Sequence, residues 1–212
     1  MIMTTIRRAT AADADVLVPL LAAAFAKGAL ADWLVSDPAD RPRINEAYFA
    51  GAFAHEVQGG KVCTTDDLTG VAFWSHRVGA QDVPAERREA LHQLTGPYAE
   101  RFCWLEQAFA ARHPTPSHHY LAFLAVAPEQ QGKGIGTALL EAYHTQHLDP
   151  YGLPAYLEAT NPRNRELYRR HGYIDGPELV LPDGGPALYP MWRGKHLPTG
   201  WPKARRATTS AG

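Results

Sequence analysis

In residues 121–140 an apolar strand-like run, the turn APEQQGKGIG and an amphipathic helical pattern follow one another directly. That order is what an anion site needs. Gly132, Gly134 and Gly136 remove side chains, so successive backbone N–H groups can converge on phosphate oxygens, while the helix dipole and the Lys133 ammonium favour negative charge. A diphosphate fits such a cradle, although glycines at this place also serve a strand end or close packing with no ligand. Two nucleotide motifs are excluded by spacing. Lys133 lies inside the turn, not after it as in G-x-x-x-x-G-K-[ST], and Leu139 stands where G-x-G-x-x-G requires its third glycine. A second run, LEATNPRNRELYRRHGY at 157–173, brings a carboxylate (Glu158), two amides (Asn161, Asn164) and a phenol (Tyr168) within ten positions, groups suited to proton transfer and to holding an extended ligand.

The chain that must position them has 212 residues, 45% hydrophobic and 20% charged, with 21 Lys+Arg against 22 Asp+Glu and a net charge of −1. This is a globular composition with no global field for a polyanion, so no nucleic-acid partner is expected. No apolar run approaches the roughly 18 residues of a membrane span. The start MIMTTIRRAT has no apolar core of a signal peptide, so no membrane partner and a cytoplasmic address are expected. Cys63 and Cys103 are unrelated in spacing and read as buried thiols. Among ten histidines only His144 and His147 share a helical face, without a third ligand beside them; both are expected to face solvent, and no metal is expected.

Thr10 and Asp13 form a capping box for a helix from Ala11 to Lys27 after a short strand, TTIRRAT. Ile44, Tyr48, Phe49 and Phe53 mark an amphipathic helix from Arg41 to Glu56. A hairpin carrying Trp74 follows, turned by DDLTG. Residues 84–113 read as a helical insertion broken at Gly96-Pro97. HHYLAFLAV is a central strand, TALLEAYHTQHL a helix, PAYLEAT a second buried strand; Asn161-Pro162 caps a helix that ends at Gly172, and PDGG turns a closing hairpin. The expected fold class is α/β (α+β): a mixed, partly splayed central β-sheet flanked by helices. Residues 1–193 form a single domain, and 194–212 a mobile tail.

Gln131-x-x-Gly134-x-Gly136 after a strand resembles the acetyl-CoA pyrophosphate motif of the GNAT superfamily of N-acetyltransferases, and the run ending in Tyr168 and Gly172-Tyr173 resembles the second half of that cofactor site. Residues 117–173 are similar to the branch that includes puromycin N-acetyltransferase. Upstream, the likeness is an order of elements together with the GVAFW strand. The resemblance implies that Leu124, Ala125 and Val126 pair their backbone with the pantetheine arm, that Gln131, Gly132, Lys133, Gly134, Ile135, Gly136 and Thr137 wrap the pyrophosphate, that Asn161 or Asn164 lies beside the arm, and that Tyr168 protonates the leaving thiolate. Asn161 serves equally well as a helix cap. Where histone-type relatives carry a basic Glu on the central strand this chain has Tyr120, leaving Glu158, His118 or bulk water to take the amine proton.

The implied reaction is direct transfer of acetyl from acetyl-CoA to the amine of a small molecule, an antibiotic or biosynthetic intermediate, by a monomer or homodimer. Phe25, Trp33, Tyr48, Trp74 and Tyr120 suggest an aromatic acceptor pocket, although each also has a packing role. A protein or peptide acetyltransferase, or a non-catalytic acyl-CoA-binding module, are the alternatives.

Overall fold

Alternation along two long neighbouring strands decides where the core lies. In the computed structural model, which describes residues 4–59, 61–79 and 82–201, β3 (Gly70–Arg77) pairs antiparallel with β4 (His118–Val126). Val71 and Phe73 point to one face and Ala72 and Trp74 to the other, and all four are fully buried. The first face carries α1 (Ala14–Ala24) and α3 (Arg41–Gly59), whose Leu17, Leu21, Phe49 and Phe53 pack on Val71, Phe73 and Ala125. The second carries α6 (Ile135–Tyr143), whose Ile135, Leu139 and Leu140 pack on Ala72, Trp74 and Leu121. A sheet covered on both faces explains the almost wholly apolar β4.

β1 (Ile6–Arg8) and β2 (Val62–Thr65) extend the sheet on one side, β5 (Ala155–Ala159) and β8 (Ala187–Arg193) on the other, and β6 (Ile174–Asp175) and β7 (Leu179–Val180) both pair with β8. The main order is β1-β2-β3-β4-β5-β8-β6. Among the described residues, β4 and β5 are the sheet's parallel pair, and their ladder contains only His119↔Ala155 and Tyr120↔Tyr156. Beyond Tyr120 the strands part. β4 also bulges there: Phe73 faces Phe123 but Trp74 faces Leu121, so Ala122 is the extra residue. This is the mixed, splayed sheet expected.

The capping box holds. Thr10 N–H donates to Asp13 Oδ2 at 2.7 Å, and Arg7 grips both Asp13 oxygens at 2.8 and 2.9 Å, tying β1 to the start of α1. These hydrogen bonds, Arg7's first, hold the Asp13 carboxyl well below the usual carboxylate range. α2 (Ala29–Leu34) is a helix that periodicity did not distinguish, because six residues are too short to display a helical period. The insertion is α4 (Ala85–Thr95) and α5 (Ala99–Ala110), separated at Gly96-Pro97 by one tight turn with Gly96 at φ 54°. α7 (Pro162–Arg170) starts on Asn161, whose Oδ1 accepts from Asn164 N–H at 2.9 Å.

Two expectations are corrected. His144 is buried, its Nε2 3.2 Å from the Tyr173 hydroxyl, because α6 continues into a wider turn that rotates this side chain inward; His147 is exposed as expected. Residues 194–201 do not hang free. Trp192 Nε1 donates to His196 O at 2.8 Å, and Trp201 packs on Tyr156 and Trp192 and fills the space a side chain at Gly176 would need. The remainder of the expected tail, 202–212, lies outside the described residues. No helix among the described residues is long and apolar enough to cross a membrane.

Gly70 sets how closely α6 approaches the sheet. A Cβ there would lie 2.5 Å from Ile135 Cγ2 and 3.1 Å from Leu139 Cδ1. The Ile135 methyl can move aside only if this β-branched side chain leaves the χ1 rotamer that a helix strongly prefers. Gly70→Ala is expected to destabilise the protein by about 1–3 kcal/mol through overpacking, read from a denaturant midpoint that falls at constant slope.

Candidate active site

Where β4 and β5 part, a cleft of about 1560 Å³ runs between the two faces of the sheet. The side chains at its waist come from the diverging strands and from α7. Tyr120 and Glu158 project to the α3 face, and the Tyr120 hydroxyl donates to Glu158 Oε2 at 2.9 Å. Glu158 Oε1 is shielded and has no hydrogen-bond partner among the described residues. An orphaned buried oxygen is costly unless something else supplies its partner. Burial pushes the Glu158 carboxyl up to about 7, against the pull of the neighbouring Tyr156 and Tyr120 hydroxyls and the charge of Arg77. Such a group can exchange a proton near neutrality.

On the other face, Tyr168 of α7 borders the same cleft, its ring packed edge-on to Tyr173 at 5.9 Å. Burial alone raises its hydroxyl above the ordinary phenol range, so it stays protonated at neutral pH. Base and acid candidates thus stand on opposite sides of one opening.

The glycine turn forms the rim of the cleft at the end of β4. Gly132 and Gly134 adopt φ 81° and 86°, the left-handed region that favours glycine, and nothing lies within 4 Å of a Cβ built on either. Gly134 is the N-cap of α6 and offers no side-chain cap. The first hydrogen bond it receives comes from Ala138 N–H at 3.0 Å, which leaves the N–H groups of Ile135, Gly136 and Thr137 directed at the cleft without intrahelical acceptors. Gln131 Nε2 donates to Val126 O at 3.2 Å and pins the turn to the end of β4. Leu124, Ala125 and Val126 border the cleft with no β5 neighbour in register, an open strand edge. Asn161 and Asn164 face it from α7. These donors and this edge fit a diphosphate joined to an amide-bearing arm. Lys133 does not border the cleft, and its ammonium is held by Gln130 Oε1 at 2.8 Å, so only its backbone serves the turn.

The α3 side of the cleft is aromatic. Phe25, Tyr48 and Tyr120 border it, joined by Phe49 and Phe123, with Phe25 to Phe49 at 5.2 Å and Phe49 to Phe123 at 5.3 Å. The insertion closes this side with Phe102, Phe109 and an ion pair in which Arg87 Nη2 meets Glu106 Oε1 at 2.5 Å.

Three further expected site residues lie elsewhere. Trp74 is fully buried on the α6 face, stacked on Tyr143 with centroids 4.0 Å apart, because alternation along β3 sends it away from the α3 face. Trp33 packs against Trp104 and donates its indole N–H to Pro182 O at 2.9 Å, outside the cleft. His118 shares the Tyr120 face but is sealed behind it: Nδ1 is 2.7 Å from Pro116 O, and the ring sits against Tyr156 and Trp192. It cannot receive a proton from the cleft directly. His113, which follows α5, borders the cleft instead. Its HPTPS loop carried no periodic signal. Among the described residues no cluster of three His, Cys, Asp or Glu side chains could hold a metal ion.

Residues 99–175 match the acetyltransferase (GNAT) domain family. A crystal structure from Corynebacterium glutamicum, described as histone acetyltransferase HPA2 and related acetyltransferase, is similar at 27% identity and TM-score 0.69 over 93% of this chain and 99% of that one. Arylalkylamine N-acetyltransferase 2 from Aedes aegypti shares the fold at 15% identity and TM-score 0.64, covering 90% of this chain and 98% of its own. A polyamine N-acetyltransferase from Drosophila melanogaster that forms N-acetylagmatine shares it at 16% and 0.64, covering 90% and 99%.

Proposed function

We propose that this chain, an enzyme carrying a GNAT acetyltransferase domain, transfers acetyl from acetyl-CoA to the amine of a small molecule with an apolar or aromatic body. The observation that carries the reading is the meeting, across the β4/β5 gap, of a buried carboxylate at Glu158, whose Oε1 has no hydrogen-bond partner among the described residues, with a protonated Tyr168, beside an uncapped glycine turn. The aromatic wall supports an acceptor with apolar surface. The small amines named for two of the similar structures support the same class. Within it, an antibiotic or a biosynthetic intermediate is our choice, in line with the resemblance to the puromycin N-acetyltransferase branch.

Bound acetyl-CoA supplies an acetyl thioester, and the chain's own groups do the rest. Glu158 takes one proton from the incoming ammonium, leaving the nitrogen pair free to attack the carbonyl carbon. An outward N–H on the open edge of β4 near Val126 holds the developing oxyanion. As the C–S bond breaks, Tyr168 gives its proton to the sulfur and is restored by the second proton shed from nitrogen. The balance is one amide, one free thiol and one proton, which leaves through Glu158.

The test is thiol release from acetyl-CoA with a panel of aminonucleosides, aminoglycosides and arylalkylamines set against a panel of peptides. Turnover confined to the small amines is expected, since α4 and α5 close the acceptor side. Turnover confined to peptides would reverse the order. CoA that binds without any turnover would make the protein an acyl-CoA-binding module. Binding itself is read as thermal stabilisation, roughly 2.7 kcal/mol at a hundredfold excess over Kd.

A further inference from the structure

Next to the waist of the cleft, two histidines and a carbonyl form a chain whose proton positions are fixed by what its last member can do. Pro116 O can only accept, so the nitrogen 2.7 Å from it, His118 Nδ1, carries the proton. His118 is sealed among Tyr156 and Trp192, and burial keeps it neutral, so its Nε2 is a lone-pair acceptor. His113 Nδ1 lies 3.1 Å from that Nε2 and must therefore be the donor. His113 is neutral for the same reason, with His118 and Arg77 adding to the effect of burial. Its remaining nitrogen, Nε2, is left without a proton and without a protein partner among the described residues.

That nitrogen belongs to a ring that borders the cleft and meets Tyr120 edge-on, with centroids 4.5 Å apart. Tyr120 is the residue that holds Glu158. We propose that His113 is an acceptor-binding residue, its Nε2 accepting an N–H of the substrate amine while Glu158 takes the proton that is lost. This rests on the acetyl transfer proposed above. A primary ammonium has three N–H groups, so one can go to Glu158 and one to His113, which fixes the rotation of the amine about its C–N bond. His113 itself takes no proton in the reaction. The chain of hydrogen bonds back to Pro116 serves to keep Nε2 an acceptor in every turnover, in the way a second hydrogen-bonding group fixes a histidine tautomer elsewhere.

The tautomer can be read without any turnover. In imidazole-15N-labelled full-length protein, His113 is expected to show protonated Nδ1 and unprotonated Nε2 from mildly acidic to mildly alkaline pH, with no cofactor or amine added. A protonated Nε2 would overturn the assignment whether or not the chain proves to be an acetyltransferase. The kinetic arm uses His113→Phe and His113→Gln, with 2-phenylethylamine as acceptor. The phenylalanine variant is expected to lose about 10- to 100-fold in kcat/KM for the amine, the scale of one hydrogen bond to a charged group, with KM for acetyl-CoA unchanged. Glutamine places a carbonyl oxygen near the Nε2 position and is expected to recover most of the loss; a structural role would not distinguish these two. Unchanged amine kinetics in His113→Phe overturn the proposal, as does an Nε2 resonance unmoved by saturating amine that the enzyme acetylates. If 2-phenylethylamine is not acetylated, the kinetic arm is run with whichever small amine of the preceding panel is turned over; if none is, the acetyl transfer proposed above fails, while the tautomer is still decided by the spectrum.

Discussion

Tyr168→Phe is expected to lower kcat for acetyl transfer by roughly 10²- to 10³-fold, the range in which a positioned general acid acts, while KM for acetyl-CoA stays within about threefold. The reason lies in what the substitution keeps. The ring is 7% exposed and packs on Tyr173, and phenylalanine fills the same space. Only the hydroxyl and the proton it would donate disappear, so the thiolate must leave uncompensated. Burial favours the neutral phenol at every pH at which the fold is used, which makes the hydroxyl a donor without a competing ionised form. Thiol release under saturating amine checks this, with a melting curve to verify the fold. Turnover at the unsubstituted rate would remove Tyr168 from the reaction.

Glu158→Gln carries the second large effect, and here pH gives the sign. The carboxyl is raised to about 7, so as a base it acts above that pH and fails progressively below it. The ratio of unsubstituted to variant kcat/KM is expected to rise about tenfold per pH unit below 7 and to level off near 10² above it. Stability moves the other way. A carboxyl raised in the folded state holds a proton that the unfolded chain releases at lower pH, so it costs stability as pH rises from the ordinary carboxylate range through 7. Glutamine has no charge to bury. The variant is therefore expected to melt above the unsubstituted protein at about pH 8 and level with it at about pH 4. A flat activity ratio would show that Glu158 is not the base, and equal melting at the higher pH would show that its charge is not buried.

The local devices were legible because each depends on residues close in sequence. Thr10 with Asp13, Asn161 with Pro162, and Gly96 with Pro97 all work where the sequence pattern places them. The left-handed glycines of the turn were legible for the same reason, whereas Tyr168 was singled out only by the family resemblance. What could not be read was which face of the sheet each aromatic would meet. Trp74 and Phe73 are adjacent and equally apolar, yet they lie on opposite faces, and only the packing of α3 and α6 decides which face is the acceptor's. His118 lies two positions before Tyr120 and so shares its face of β4, but the Pro116 carbonyl and the 194–201 segment that seal that region come from loops without periodicity. His113 was missed because its value depends on a hydrogen bond to a residue five positions away across a turn containing two prolines. Arg87 and Glu106, 19 positions apart, meet only because α4 folds back on α5.

The ladder of just two residue pairs between β4 and β5 has a consequence for how such a chain diversifies. Because the strands separate so early, the glycine-turn rim of the cleft is built by one set of loops and helices and its aromatic wall by another, with Tyr120, Glu158 and Tyr168 at the waist between them. On the acetyl transfer proposed above, a lineage can therefore remodel α3 to α5 for a new amine while the rim that would hold the acyl donor is inherited intact.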